Sequence, residues 1–108
     1  MELAAIQTSL KNPDYHHRLK AISALKAHPA ADALPLLKHH QEDEEFLVRS
    51  FVARELGNFL NEESFAILLE MMRRDNTPNV RAEAANSLSY FGVVTAGHLV
   101  STFLQDDH

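Results

Sequence analysis

The chain has 108 residues, 15 acidic against 10 basic for a formal net charge of −5, and contains neither cysteine nor tryptophan. Disulfides and thiolate chemistry are therefore excluded, and the acidic balance argues against a nucleic-acid surface, which must displace counterions with basic side chains. No apolar run approaches the roughly 18 residues of a membrane span, and Met1 to Leu10 lacks the basic flank and apolar core of a signal peptide, so a soluble protein of cytoplasmic type and a single domain over 1–108 are expected.

Alanine, leucine and glutamate dominate, and no segment alternates apolar and polar residues long enough for a strand, so every predicted element is helical. A lone helix is predicted near 2–10, carrying Leu3, Ile6 and Leu10 on one face. Asn12-Pro13 then marks the start of a helix near 15–27, and Pro29 separates it from one near 30–41 that holds Pro35 in its first turns. Next come helices near 46–58, where Gly57-Asn58 can take the left-handed conformation that closes a helix, and near 62–74, opened by Asn61 with Glu62 and Glu63 against the positive helix end. Thr77-Pro78 opens a helix near 78–91, where Gly92 can close it in the left-handed conformation, and a last helix is predicted near 94–105.

These helices repeat in pairs. Arg18, Arg49 and Arg81 recur at intervals of 31 and 32 residues, and each is followed seven residues later by a leucine, Leu25, Leu56 or Leu88. Small or aliphatic residues fill the same helix face at three and four residues: Ala21 and Ile22, Val52 and Ala53, Ala84 and Ala85. Six residues before each arginine stands a turn residue, Asn12, Asp43 or Asp75, and a second apolar block follows in every copy. A period of this length describes one supersecondary unit stacked in series, each copy burying the face its neighbour leaves open. The units run about 12–42, 43–74 and 75–105 behind a capping helix at about 2–10. The period is close to that of tetratricopeptide and ankyrin units, but neither the aromatic and Leu-Gly signature of the first nor the Thr-Pro-Leu-His of the second is present.

The turn aspartates, the Val48-Arg49 and Val80-Arg81 pairs, Ala53 with Leu56 and Gly57, and Ala84-Ala85 with Leu88 together resemble the HEAT-like repeat of phycobilisome lyase subunits and related cyanobacterial proteins. The first unit departs from the pattern, with His17 in place of the valine. The resemblance covers roughly 12–106 and implies an all-α fold, an α-solenoid of about seven helices stacked as HEAT-like hairpins in an α-α superhelix. It also implies that Arg18, Arg49 and Arg81 pair with turn acids, Asp43 and Asp75 being the matching carboxylates and Asp14 the local candidate for Arg18. That structural role outweighs a phosphate-binding ladder, because buried charge persists only when paired.

Other candidate chemistry is thin. His39 and Asp43, or His40 and Glu44, stand four apart and would converge on a metal only if the helix continued through them, whereas basic residues at a helix C-terminus have a sufficient reason to be there, so no metal or other cofactor is expected. The serines lack a Gly-x-Ser-x-Gly setting, no glycine-rich phosphate loop occurs, and Glu62 and Glu63 point in different directions, so the chain reads as a non-catalytic protein-interaction scaffold. Its partner is expected on the inner, second-helix surface, where Lys38, Glu70, Arg73, Arg74, Thr102 and Gln105 are the polar candidates. The resemblance implies an alternative, a subunit or fragment of a bilin lyase or phycobilisome-associated factor that handles phycobiliproteins. Asp106 lies 31 residues after Asp75 and reads as the opening of a fourth unit, so Leu99, Val100, Phe103 and Leu104 are expected to form an uncapped end, either of a fragment or of a face that self-associates or docks on a partner.

Overall fold

The computed structural model describes residues 1–92. It contains six α-helices: α1 (Leu3–Ser9), α2 (Tyr15–Ala24), α3 (Ala30–His40), α4 (Phe46–Leu56), α5 (Glu62–Arg74) and α6 (Pro78–Leu88), with a 3-10 turn at Leu25–Ala27. No strand occurs among the described residues. The helix expected near 94–105 lies outside them, as do Thr102, Gln105 and Asp106.

Helices α2, α4 and α6 form one layer, α4 packing on both of the others, while α3 and α5 fold back against α4 and form the opposite layer. The apolar positions of the repeat make the core between these layers: Ala21, Ile22, Leu25, Val48, Val52, Ala53, Leu56, Val80 and Ala84 from the first helices, and Leu34, Leu37, Phe65, Leu68 and Met71 from the second. These side chains form one continuous buried cluster, as expected of an α-solenoid of helical hairpins that grows its core pair by pair.

Helix ends follow local chemistry. Pro29 drives His28 into extended backbone (φ −110, ψ 157), which is why the segment expected to be helical to residue 27 finishes as a 3-10 turn. Asn61 accepts from the Ser64 amide while the Ser64 hydroxyl reaches back to the Asn61 amide, a capping box that starts α5. Thr77 does not cap α6 with its side chain; its hydroxyl accepts from Arg49, and Pro78 takes the first helical position.

The glycines correct the reading of the sequence. No described glycine has a positive φ, and Gly57 ends α4 in ordinary right-handed geometry (φ −65, ψ −13). What requires glycine there is space: a Cβ would stand 3.0 Å from Ser87 Oγ and 3.1 Å from both Ser87 Cβ and Tyr90 Cδ2. The buried Ser87 hydroxyl donates to the Ala53 carbonyl at 2.8 Å, so α6 rides directly on the α4 backbone at this point.

Candidate functional site

Two surfaces concentrate polar chemistry. The first is a ladder at the inter-helix turns. Arg18 donates from Nε and Nη2 to both carboxylate oxygens of Asp43, at 3.0 and 3.1 Å, and from Nη1 to the carbonyls of Asn12 (2.8 Å) and Pro13 (3.0 Å). One unit later Arg49 donates from Nε to Asp75 at 2.9 Å and from Nη1 to the Asp43 carbonyl at 2.8 Å, with Nη2 reaching Thr77 Oγ1 at 2.9 Å. Arg81 donates to the Asp75 carbonyl at 2.8 Å. Every arginine thus grips the carbonyl six residues before it, and Arg18 and Arg49 also hold the carboxylate that opens the next unit.

The aspartates are equally committed. Asp43 Oδ1 accepts from the Glu45 amide and Asp75 Oδ1 from the Thr77 amide, each at 2.9 Å, which fixes the turn that presents the carboxylate. Asn12 makes the same local bond, accepting from the Asp14 amide at 2.8 Å. The Asp43 bond is the chief cause that holds the Arg18 guanidinium above even its ordinary pKa, keeping the charge fixed over the working pH range. Asp14, the local candidate for Arg18, does not serve it: its carboxylate caps α2, accepting from the backbone and ring of His16. A residue four positions before Arg18 sits at its own helix start, whereas the guanidinium extends toward the following turn.

A guanidinium has five N–H donors. Arg18 spends four of them on these contacts, with Glu44 at 4.0 Å beside the remaining edge. A phosphate at Arg18 would have to displace a carboxylate held at two points.

The second surface lies on α3 and α5. Lys38, Glu70, Arg73 and Arg74 are all exposed there, and Lys38 is brought together with Pro35, His39, Gln41, Glu42 and Glu63 around a shallow depression between the two helices. Glu70 and Arg74 border a neighbouring cleft of about 460 Å³ where this surface meets the ladder, since Asp43, Arg49 and Asp75 line it together with Glu42, Glu44 and Met71. Arg73 lines neither depression. The condition for His39–Asp43 and His40–Glu44 to converge is not met, because α3 ends at His40, and Asp43 is bound to Arg18; no group of three His, Asp or Glu side chains that could hold a metal ion occurs among the described residues.

Sequence reasoning missed two features. Glu55 is a charged residue on the buried face of α4, 2% exposed, with its carboxylate accepting from Asn58 Nδ2 at 2.8 Å and lying 3.4 Å from Arg54 Nη2. The i, i+3 spacing to Asn58 is the signal that could have found it. A groove between the end of α1 and α3 also went unread, because it joins residues nearly thirty positions apart whose faces no local pattern relates.

No helix among the described residues is long and apolar enough to cross a membrane. The model for HEAT repeats matches the chain over residues 3–89 and again over 40–108, two overlapping registers as expected of tandem units. Comparison with curated proteins and with solved structures returns no match. Stacked helix pairs, a repeating arginine–aspartate joint and a family match spanning the described hairpins agree, and the chain belongs to the HEAT repeats family.

Proposed function

We propose that the chain is a non-catalytic scaffold that binds a partner protein through the surface carried by α3 and α5. HEAT repeats act generally in protein interaction, and the observation that carries the reading onto this surface is the division of polar groups. Arg18 and Arg49 are committed to the aspartates of the ladder, while Lys38, Glu70 and Arg74 stand exposed on the second helices at the edges of two depressions and Arg73 is exposed on the same helix as Glu70 and Arg74. Thr102 and Gln105 belong to the same proposed face by sequence register. A single domain over 1–108 and self-association through its last unit complete the proposal.

A finer reading, that the partner is a phycobiliprotein and the chain part of a phycobilisome-associated factor, is supported by the turn-Asp, Val-Arg, Ala-Ala and leucine pattern alone. Affinity capture tests both. The chain is used as bait beside its Lys38→Glu/Arg73→Glu/Arg74→Glu variant, whose melting temperature is checked to be unchanged. A protein retained by the first bait and lost from the second supports docking on α3 and α5; equal retention by both rules that surface out. Visible bilin absorbance in the retained protein distinguishes the phycobiliprotein reading from a colourless partner.

A further inference from the structure

One end of the second-helix surface has a distinct chemistry. A groove of about 430 Å³ between the C-terminal end of α1 and the last turns of α3 is lined by Gln7, Leu10, Lys11, Leu36, His39 and His40. Its floor is aliphatic: Leu10 is buried and Leu36 half-buried, both belonging to the core rather than standing free. Its rim carries one cation, Lys11, which is exposed, together with the imidazoles of His39, exposed, and His40, half-buried. His40 Nδ1 lies 2.9 Å from the Leu36 carbonyl, and since a carbonyl only accepts, the proton sits on Nδ1 and the ring is pinned. The His39 ring meets it edge-on at 5.0 Å.

In a chain of net charge −5, none of these six lining residues is acidic. The exposed carbonyls of α3 carry partial negative charge, but Lys38, His39 and His40 stand in its last turn and offset it. Along the same surface the balance then turns acidic, through the mixed depression with Glu42 and Glu63 to the cleft where Glu42, Asp43, Glu44, Glu70 and Asp75 outnumber Arg49 and Arg74. Charge complementarity therefore selects opposite occupants for the two ends.

We propose, resting on the protein-docking reading of this surface, that the groove between α1 and α3 takes an acidic segment of the partner protein. An aliphatic side chain of that segment lies on Leu10 and Leu36, and its carboxylates face Lys11 and the exposed His39. A basic segment would set like charge against Lys11 and is directed instead toward Glu42, Glu44 and Glu70.

The probes are two capped synthetic peptides of equal length, one alternating Glu with Leu and the other Lys with Leu, titrated into the intact chain and followed by amide chemical-shift mapping. The Glu-Leu peptide is expected to shift Gln7, Lys11 and Leu36 to His40, and to bind about tenfold more weakly to the Lys11→Glu/His39→Gln variant, whose changes are both at exposed positions and whose folding is checked by its melt. Raising salt from about 50 to about 300 mM should weaken it as well. The proposal is overturned by no binding of the Glu-Leu peptide, by shifts elsewhere, or by affinity that survives charge reversal. Vesicles of anionic phospholipid that shift these residues when the peptide does not would assign the groove to a lipid headgroup and equally overturn it. Shifts at Glu42, Glu44 and Glu70 from the Lys-Leu peptide alone would reject the acidic segment while leaving protein docking standing. The charge-swapped capture decides docking independently.

Discussion

The turn side and the second-helix face of this solenoid obey different rules. At the turns, Arg18 with Asp43 and Arg49 with Asp75 repeat nearly the same set of bonds one unit apart, down to the carbonyl six residues upstream and the amide two residues beyond the aspartate. On α3 and α5 the exposed residues do not correspond: Lys38, His39 and Pro35 on one helix, Glu63, Glu70 and Arg73 on the other. Repetition marks what one unit needs from its neighbour. Divergence marks what is free to meet a partner. The two regions should therefore separate experimentally, the first moving stability and the second moving binding.

The largest effect is expected at the first joint. Asn12 shows that an asparagine keeps the local turn, so Asp43→Asn should retain the bond to the Glu45 amide while losing the two-point carboxylate grip on Arg18. Because Arg18 is only 7% exposed, the orphaned charge should cost about 2–3 kcal/mol, read as a lower urea midpoint at unchanged slope. Adding Arg18→Met to Asp43→Asn should cost at least about 1 kcal/mol less than Arg18→Met in the parent chain. Additive losses would mean that the pair does not couple the units.

Gly57→Ala sharpens the contrast between local preference and packing. Right-handed geometry would favour alanine, yet its Cβ meets Ser87, which is pinned by the Ala53 carbonyl. Overpacking is expected to win, with a net loss of about 1–2 kcal/mol, whereas Gly92→Ala, with nothing among the described residues within 4 Å of the added carbon, should fall within about 0.5 kcal/mol of the parent. Thermal melts of the two variants check the sign. A smaller loss, about 1 kcal/mol, is expected from Asn61→Ala, which removes the side-chain half of the box that starts α5.

The smallest effect is a pH dependence. The backbone amide of His16, followed by its side chain, holds the Asp14 carboxyl below the usual carboxylate value of 3.8. A lowered native pKa contributes stability above the unfolded value and loses it as pH falls through the lowered one. Asp14→Ala should accordingly lower the melting temperature slightly at neutral pH and flatten its decline in the acid range. A parallel offset persisting below that range would assign the loss to something other than the cap.

Much of this fold was legible because repeats print their packing in register: the arginine, the small pair and the leucine announce one helix face three times, and prolines and Asn61 mark the breaks. The ladder was readable in its residues but not in its direction. Asp14 lies near Arg18 in sequence, and only the stacking of successive turns shows that the guanidinium reaches forward to Asp43. Gly57 misled for a related reason, since glycine serves left-handed turns and close approaches alike, and the approach of Ser87 comes from a residue thirty positions away. The groove between α1 and α3 was hidden entirely, because Lys11 and His39 share a surface only after Tyr15–Ala24 has turned the chain back.

The most direct test of the division between joint and docking face is site-specific photo-crosslinking in the cells that make this protein. Crosslinkers are placed singly at Lys38 and Arg73 on the second helices and at Lys20 and Asn86 on the first, four exposed positions whose substitution leaves the core untouched. Protein adducts at Lys38 and Arg73 but not at Lys20 or Asn86 are the predicted result; adducts confined to Lys20 and Asn86 would contradict it.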